Sequence, residues 1–394
     1  MSSYVVLKRR SASQGGGTGS GAKFETLGTA GKAEWGLTVE KAEPQHAAQM
    51  LADPDVEIVA RTMPTALIAP IDIATSTPTP NATANASWGI AFVGADKSNF
   101  DGADVTVAVL DTGIDSTHSA FSGVNLVEKD FSQSGNGDRQ GHGTHCAGTI
   151  FGRDVNGVRI GIARGVKRAL IGKVLNDAGS GESEMIFNAL TWALQEKADI
   201  VSMSLGFDFP GLVGRLINTG WPTDLATSTA LESYRNNLRM FDAIMNILRA
   251  NKNFGNEPLV VAAAGNESRR KMNDQFRIAA SLPAAALDVL SVAAVDDGGN
   301  VAWFSNANAV LSAPGVNITS AWPNGLLNTI SGTSMACPHV AGLAALWWQY
   351  QKQQGILPTA SNVKAKVLAT LRRDVLKPAF NELDFGLGLG IAPE

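Results

Sequence analysis

Short apolar segments alternate with longer amphipathic segments from residue 88 to the end of the chain. Short runs rich in Val, Ile and Ala are typical of strands that are buried on both faces of a sheet. Stretches with apolar residues at helical spacing lie between them, at 182–197, at 227–251 and after residue 334. The pattern predicts an α/β domain with a mostly parallel central sheet. Its predicted strands cover 105–110, 169–175, 199–203, 258–263 and 290–295.

The residues before this domain have a different pattern. Residues 1–23 include a Gly- and Ser-rich run and are predicted to form a flexible tail. Residues 24–70 combine alternating apolar positions with one short helical stretch, which predicts a small α+β domain. Residues 71–87 are dense in Pro, Thr, Asn and Ala and are predicted to be a linker. The α/β domain then occupies residues 88–394.

Composition and charge argue against several classes of protein. The 394 residues are 44% hydrophobic and 17% charged, which is typical of a compact globule, and the formal net charge is −4. This charge gives no reason to expect nucleic acid or a membrane as a partner, and we expect a monomer. The longest apolar run, 335–348, is shorter than the roughly 20 residues of a membrane-spanning helix. At the N-terminus charge follows the apolar residues, the reverse of a secretory signal, so a cytoplasmic location is expected.

Three polar residues stand at positions that suit covalent catalysis by a serine. Asp111 directly follows the predicted strand 105–110, His142 lies between two glycines, and Ser334 stands just before a long apolar run. A serine hydroxyl is inert at neutral pH unless a base takes its proton and a third group orients that base. Ligands bind beyond the carboxyl ends of parallel strands, so we expect the polar residues that follow the strands to meet at that edge.

The segments around these three residues resemble the subtilisin-like serine proteases, the subtilases. The motifs read VLDTGID, GHGTHCAG and SGTSMACPHVAG, and the order Asp, His, Ser is that of the family. The resemblance implies a three-layer α/β fold, preceded by a propeptide-like domain, and a serine endopeptidase that acts on peptides or proteins. It also implies that Asp111 orients His142, that His142 is the general base and then the general acid, and that Ser334 attacks the scissile carbonyl.

The same resemblance implies further residues of the site. Asn266, in the sequence AAAGNE, matches the asparagine whose amide donates to the oxyanion. In subtilisin itself, removal of that donor costs about 10²- to 10³-fold in turnover. Two further segments match the edges that pair with an extended peptide as an added strand. These segments are Ser204, Leu205 and Gly206 on one side and Gly179, Ser180 and Gly181 on the other.

The chemistry requires no cofactor, and the sequence leaves the metal content open. His142 and His145 could suggest a metal site, but no Cys or carboxylate completes a tetrahedral set at the usual spacing, so His145 is predicted to pack in a helix. Relatives often have a calcium-binding carboxylate in the segment where this chain has Ala120. Asp154 and Asn156 leave a different oxygen site open, so a structural calcium ion remains an alternative.

Two cysteines and one charged run have competing interpretations. Cys146 and Cys337 follow His142 and Ser334 by about one helical turn, which predicts buried thiols beneath the site. Sensitivity to oxidation or to mercury is the alternative for these thiols. The basic run 269–271 is predicted to be solvated, with selection of acidic residues on the leaving-group side as the alternative.

The residues outside the motifs carry two more hypotheses. Within the predicted domain 24–70, the sequence ADPDVEIV at 52–59 resembles the inhibitory propeptides of subtilases. The resemblance predicts a zymogen that cuts itself between Thr65 and Ser87, with the linker 71–87 as the segment exposed to the cut. A permanent accessory domain is the alternative. The segment 207–226 is longer than in relatives and starts at a predicted substrate edge, so it is expected to help in choosing substrates.

Two other functions compete with peptide hydrolysis. A maturation protease or transpeptidase would use the same site with a specialised substrate or with an amine as the acceptor, and the sequence does not separate water from an amine. A peptide-binding relative without activity would need a broken triad, and the residues of this triad are all present.

Overall fold

The computed structural model describes residues 2–11, 25–30, 33–71, 86–250, 257–377 and 380–394. The first part of the chain forms an antiparallel sheet that carries one short helix. Its elements are β1 (Ser2–Ser11), β2 (Glu25–Ala30), β3 (Ala33–Ala42), α1 (Pro44–Met50) and β4 (Val56–Arg61). The strand order is β2-β3-β1-β4, and a separate strand, β5 (Pro64–Leu67), follows.

Strand β1 contradicts part of the prediction of a flexible tail over 1–23. Its apolar residues are buried on both faces of the sheet: Val5 and Leu7 join a cluster with the second domain, while Tyr4 and Val6 pack towards α1. Because both faces are covered, all four positions are apolar and no alternation marks the strand. The rest of the predicted tail, 12–23, and most of the linker, 72–85, lie outside the described residues.

The second domain is built on a seven-stranded sheet in which all neighbouring strands run parallel. The strands of this domain, both inside and outside the seven-stranded sheet, are β6 (Thr106–Asp111), β7 (Asn125–Asp130), β8 (Arg168–Lys173), β9 (Ser180–Glu182), β10 (Ile200–Met203), β11 (Leu205–Phe207), β12 (Leu259–Ala263), β13 (Leu290–Val295), β14 (Leu311–Pro314), β15 (Ile318–Trp322) and β16 (Leu326–Ile330). The central sheet has the order β14-β13-β12-β10-β6-β8-β7. The five predicted strands are confirmed within it.

Helices cover both faces of this sheet. They are α2 (Trp88–Phe92), a 3₁₀ turn (Ser119–Phe121), α3 (His142–Phe151), α4 (Ser183–Gln195), α5 (Phe209–Asn218), α6 (Thr223–Ala250), α7 (Thr333–Gln353), α8 (Ala360–Ala369) and α9 (Glu382–Phe385). Along β6, Val107 and Val109 pack with α3, α7 and α8, whereas Ala108 and Leu110 pack with α4 and α6. Successive strand residues point to opposite faces, so these contacts define a three-layer α/β fold, as predicted.

The extra segment 207–226 is largely helical, because α5 occupies half of it. The Asp208 side chain accepts a hydrogen bond from the Gly211 N–H over 2.8 Å, and Pro210 lies in the first turn. An acidic N-cap followed by proline favours the start of a helix. The Asp208 N–H donates to the Pro64 carbonyl over 2.9 Å, so the insertion contacts the start of β5.

Candidate active site

Asp111 and His142 form a buried pair at the carboxyl edge of the central sheet. Asp111 is the last residue of β6, His142 is the first residue of α3, and their side chains are 1% and 0% exposed. His142 Nδ1 lies 2.8 Å from Asp111 Oδ1 and 3.1 Å from Oδ2. A carboxylate can only accept, so this contact favours the tautomer with the proton on Nδ1 and leaves Nε2 as an acceptor.

Ser334 lies beside this pair, near the start of α7. The Cys146 thiol connects them, because its Sγ is 3.7 Å from His142 Nδ1 and 3.4 Å from the Ser334 carbonyl oxygen. His142 Nε2 is buried and has no hydrogen-bond partner among the described residues. The Ser334 hydroxyl donates instead to the Ile68 carbonyl over 2.9 Å. The structure thus brings the three predicted residues together with the hydroxyl directed at a backbone carbonyl of the first domain.

Asn266 reaches the same cleft from the turn after β12. Its Oδ1 accepts from the Thr333 N–H and from Thr333 Oγ1, both over 2.9 Å. A backbone N–H can only donate, so the amide oxygen must face Thr333 and the amide NH₂ must point the other way. Nδ2 donates to the Ala69 carbonyl over 2.9 Å. The side chain therefore presents a hydrogen-bond donor to a carbonyl that lies in the cleft.

Residues 64–71, which we call the cleft segment, lie across this site. Strand β5 is the middle strand of a three-stranded antiparallel sheet, between β9 and β11. Leu67 is paired with Leu205, and its N–H donates to the Gly179 carbonyl over 2.8 Å. The two segments predicted as substrate edges, 179–181 and 204–206, thus flank a strand of the chain's own first domain.

The cleft segment presents two successive carbonyls to two different groups. Ser334 contacts the Ile68 carbonyl, whereas Asn266 contacts the Ala69 carbonyl. Downstream, the Ile71 N–H donates to the Ser331 carbonyl over 2.8 Å, which ties the segment to the start of the Ser334 turn. Attack on a peptide bond requires the nucleophile and the oxyanion donor at the same carbonyl. The cleft segment is therefore bound in a position in which neither the Ile68 carbonyl nor the Ala69 carbonyl contacts both Ser334 and Asn266.

Two buried charged residues bind the segments next to Asp111 and His142, and the sequence did not single them out. The Asp138 carboxylate accepts from Thr112 Oγ1 over 3.0 Å and from the N–H and hydroxyl of Thr144 over 2.9 and 2.7 Å. Lys173, 1% exposed at the end of β8, donates to the Thr112 carbonyl over 2.6 Å and to Asp177 over 2.8 Å. Both residues thus fix the backbone that follows Asp111. Only the fold brings them to this position.

The groups beneath the site do not form a resident metal centre. His145 Nε2 lies 3.0 Å from the Ile318 carbonyl, and burial lowers the pKa of the ring to about 3, so it is a neutral, packed ring. Asp111, His142 and Cys146 each offer one donor atom within 4.8 Å of the others. Burial raises the pKa of the Cys146 thiol well above its ordinary value, and His142 Nδ1 is already bound by Asp111. A protonated thiol is a poor ligand, so these residues do not fit a metal.

The cysteines are buried, as predicted, whereas in the basic run Arg270 is buried and Arg269 and Lys271 are exposed. Cys146 and Cys337 are free thiols, 1% and 0% exposed. Arg270 is 8% exposed and pairs with Asp384 over 2.7 Å, so the expectation of a solvated run is wrong for this residue. Asp384 lies 114 residues downstream, which is why the local sequence did not reveal the pair.

The region left open for calcium is held by arginines instead. The Asp154 carboxylate is bound by Arg164 over 2.8 and 3.0 Å. Arg153 donates to the carbonyls of Phe151 and Val166 over 2.9 and 2.8 Å. Arg159 donates to three more carbonyls in the same way, those of Ala95, Gly161 and Ile162. Calcium requires several oxygen ligands with free lone pairs directed at it. Guanidinium groups bind the Asp154 carboxylate and these carbonyls, so these oxygens do not fit a calcium ion.

A buried Asp–His pair, an adjacent serine and an amide donor, all at the carboxyl edge of a parallel sheet, define the class of serine hydrolases. The sequence model of the subtilase family matches residues 102–390. The chain therefore belongs to the subtilase family, and it is a serine-type endopeptidase whose substrates are peptides or proteins.

Named relatives agree with this assignment. The major intracellular serine protease of Bacillus subtilis (strain 168) is 34% identical over 260 residues, which are 64% of this chain and 70% of that protein. Subtilisin DY of Bacillus licheniformis is 35% identical over 264 residues, 66% of this chain and 83% of that protein. The intracellular serine protease of Paenibacillus polymyxa is 34% identical over 253 residues, 62% of this chain and 67% of that protein. Within the described residues, no helix combines the length and apolar character needed to cross a membrane.

Proposed function

We propose that the protein hydrolyses peptide bonds through an acyl-enzyme on Ser334, with His142 as general base and Asp111 as the group that orients it. Once the Ile68 carbonyl leaves, the hydroxyl is free to turn to His142 Nε2. His142 then takes the proton during attack and returns it to the leaving amine. Asn266 Nδ2 and the Ser334 N–H donate to the oxyanion. The supporting observation is that a peptide in the cleft contacts both the hydroxyl and the amide.

The substrate is an extended peptide that adds a strand between residues 179–181 and 204–206. Strand β5 is the precedent, because its backbone pairs with both edges. Backbone hydrogen bonds give affinity without regard to sequence, so selection falls to the side-chain pockets. A Cβ added to Gly206 would lie 3.6 Å from both Ile68 Cγ1 and Ser281 Oγ. We therefore propose that the pocket beside Gly206 accepts an aliphatic residue before the scissile bond.

The first domain acts as an inhibitory propeptide, and the protein is a zymogen that cuts itself. The cleft segment blocks the site, and the Ser334 hydroxyl is bound to the Ile68 carbonyl. The bond that follows Ala69 ends in Pro70, whose ring stands in place of the amide hydrogen and crowds that bond. The bond between Ile68 and Ala69 is therefore the favoured cut, near the upstream end of the expected range 65–87. Cleavage needs the Ile68 carbonyl to move to Asn266.

The full-length protein, incubated with a peptide library, tests the peptidase function. Turnover that vanishes in Ser334→Ala and persists in Ser291→Ala supports the proposal. Ser291 is a matched control, because it is a buried serine of β13 whose hydroxyl accepts from the Val310 N–H over 2.9 Å. Turnover by Ser334→Ala would reject Ser334 as the nucleophile. Product masses equal to hydrolysed peptides, without amine adducts, would distinguish hydrolysis from transfer.

N-terminal sequencing and intact mass test self-processing. The wild-type protein is expected to lose its first domain and to begin at Ala69, and Ser334→Ala is expected to stay whole. A cut that persists in Ser334→Ala would show that another protease processes the chain. A wild-type protein that hydrolyses peptides but is never cut would make the first domain a permanent accessory domain.

We also infer that the enzyme acts in the cytoplasm and as a monomer. Two of its relatives are named as intracellular proteases, and both cysteines are free and buried. Cell fractionation of the native source, with gel filtration of the purified protein, tests both parts. Activity confined to the culture medium, or a dimeric mass, would contradict them.

A further inference from the structure

Asn306 is a fully buried asparagine whose side chain binds the turn that carries Asn266. Both ends of its amide are used, and all the partners belong to residues 264–268. Oδ1 accepts from Glu267 N over 3.1 Å, from Ser268 N over 3.0 Å and from Ser268 Oγ over 3.2 Å, and Nδ2 donates to the Ala264 carbonyl over 3.1 Å and to Glu267 Oε2 over 2.6 Å.

The backbone of Asn306 also contacts this turn. Its N–H donates to the Gly265 carbonyl over 3.0 Å. Gly265 has φ +114°, in the region that favours glycine, and a Cβ added there would overlap Asn306 Nδ2. The turn that carries the chain from β12 to Asn266 therefore packs directly on Asn306.

Two different residues fix the two parts of Asn266. Thr333 holds the side-chain oxygen and so determines which way the amide NH₂ points. The position of the Asn266 backbone depends on the residues before and after it, and Asn306 binds both sides. Because Asn306 lies 40 residues downstream of Asn266, no local motif connects the two.

We propose that Asn306 is the positioning residue of the oxyanion donor: it holds the backbone of Asn266 so that Nδ2 meets the carbonyl under attack. The inference rests on the proposed function of Asn266. Asn306 has no contact with the cleft segment among the described hydrogen bonds, so it acts through the turn rather than on the substrate. An amide suits the task, because one end must accept from two N–H groups while the other donates to a carbonyl and a carboxylate.

The chemistry predicts how substitutions at this position behave. Alanine leaves the N–H groups of Glu267 and Ser268 buried without a partner, so the turn shifts to find other partners. Aspartate keeps the acceptor but places a second carboxylate against that of Glu267. Displacement of a catalytic group by about 1 Å can cost about 100-fold in rate. The loss falls on kcat, because the edges that bind the substrate are unchanged.

The test is a double-mutant cycle on the full-length protein with a fluorogenic peptide, normalised to titrated active sites. Asn306→Ala is expected to lower kcat by about 10- to 100-fold with KM changed less than about 2-fold. In the Asn266→Ala background the same substitution is expected to change kcat by less than about 2-fold, because the donor to be positioned is gone. In Asn306→Asp, Glu267→Gln is expected to recover part of the lost kcat, because its amide can donate to the new carboxylate.

Ser291→Ala is the matched control. Ser291 is a buried serine whose hydroxyl accepts from the Val310 N–H over 2.9 Å, and among the described hydrogen bonds this hydroxyl contacts neither Asn306 nor the turn 264–268. It is expected to leave kcat within about 2-fold of wild type. Equal losses from Asn306→Ala with and without Asn266, or a loss confined to KM, would overturn the positioning role and leave the proposed function intact. A wild-type protein without turnover, or turnover that survives Ser334→Ala, would overturn the proposed function itself.

Discussion

Docking of the first domain is predicted to control access to the site, and Leu7→Ala tests this. The Leu7 side chain is 0% exposed and belongs to the apolar cluster that includes α4 and α6 of the second domain. A buried leucine-to-alanine change costs about 2–5 kcal/mol, from lost transfer energy and the cavity that remains. If this cost falls on docking, the open state becomes about 30- to 4,000-fold more populated, at 1.4 kcal/mol per factor of ten.

Hydrogen exchange measures this opening without requiring activity. In a Ser334→Ala background the chain is expected to stay uncut, and exchange is followed in peptides that cover residues 64–71. The protecting bonds are those from the Leu67 N–H to the Gly179 carbonyl and from the Ile71 N–H to the Ser331 carbonyl. Leu7→Ala is expected to accelerate their exchange by the same factor of about 30 to 4,000.

Leu346→Ala is the control for a general loss of stability. Leu346 is equally buried, but it lies in the cluster on the opposite face of the central sheet. It should lower the global stability and leave the local opening of the cleft segment unchanged. If Leu7→Ala leaves exchange of residues 64–71 unaltered, the segment holds to the cleft without the docked domain, and the reasoning is refuted.

Three other predictions concern the triad, acid stability and calcium. Asp111→Asn should lower kcat by about 10⁴-fold with little change in KM, because an amide can donate to His142 Nδ1 and favour the wrong tautomer; a loss below 10-fold in steady-state kinetics would contradict this. Burial lowers the pKa of His145 to about 3 and that of His339 to about 4. Below pH 6.5 the unfolded chain therefore binds more protons than the folded chain. The stability that depends on these neutral rings is fully present above pH 6.5. Between pH 6.5 and its folded pKa, each histidine lowers the free energy of unfolding by about 1.4 kcal/mol per pH unit. Urea unfolding at pH 7 and pH 5.5 should show this loss of stability, and His339→Gln should make the loss smaller. A free energy of unfolding that depends on pH as strongly in His339→Gln as in the wild type would contradict this prediction. EDTA should leave the melting temperature unchanged, whereas Arg159→Met should lower the free energy of unfolding by about 1.5–3 kcal/mol. A large drop of the melting temperature with EDTA would show that a structural calcium ion stabilises the protein.

The central sheet and the grouping of Asp111, His142 and Ser334 at its edge could be predicted from sequence because their signals are local. Strands such as β6 and β12 are short apolar runs, and Asp111 directly follows one of them. The motifs around His142 and Ser334 carry their own glycines and small residues, so family resemblance reached the same residues.

The missed features depend on contacts between distant parts of the chain. Strand β1 shows no alternation, because one face packs on α1 and the other on the second domain. Asp138, Lys173 and Asn306 look like ordinary polar residues until the fold buries them beside the site. One local signal could have been used: Asp208 and Pro210 mark the start of α5 in the extra segment 207–226.

The register of the cleft segment was also beyond the sequence. A propeptide-like domain suggested inhibition, but the register of β5 against β9 and β11 follows from backbone pairing rather than from side-chain type. That register is what places the carbonyls of Ile68 and Ala69 at different groups of the site.

The most direct test of the central claim is to map a serine-directed fluorophosphonate on the full-length protein by peptide mass. One adduct per chain on the peptide that contains Ser334, absent from Ser334→Ala and slowed in Asp111→Asn, is the predicted result. An adduct on another residue, or labelling that persists in Ser334→Ala, would contradict the assignment of Ser334 as the nucleophile.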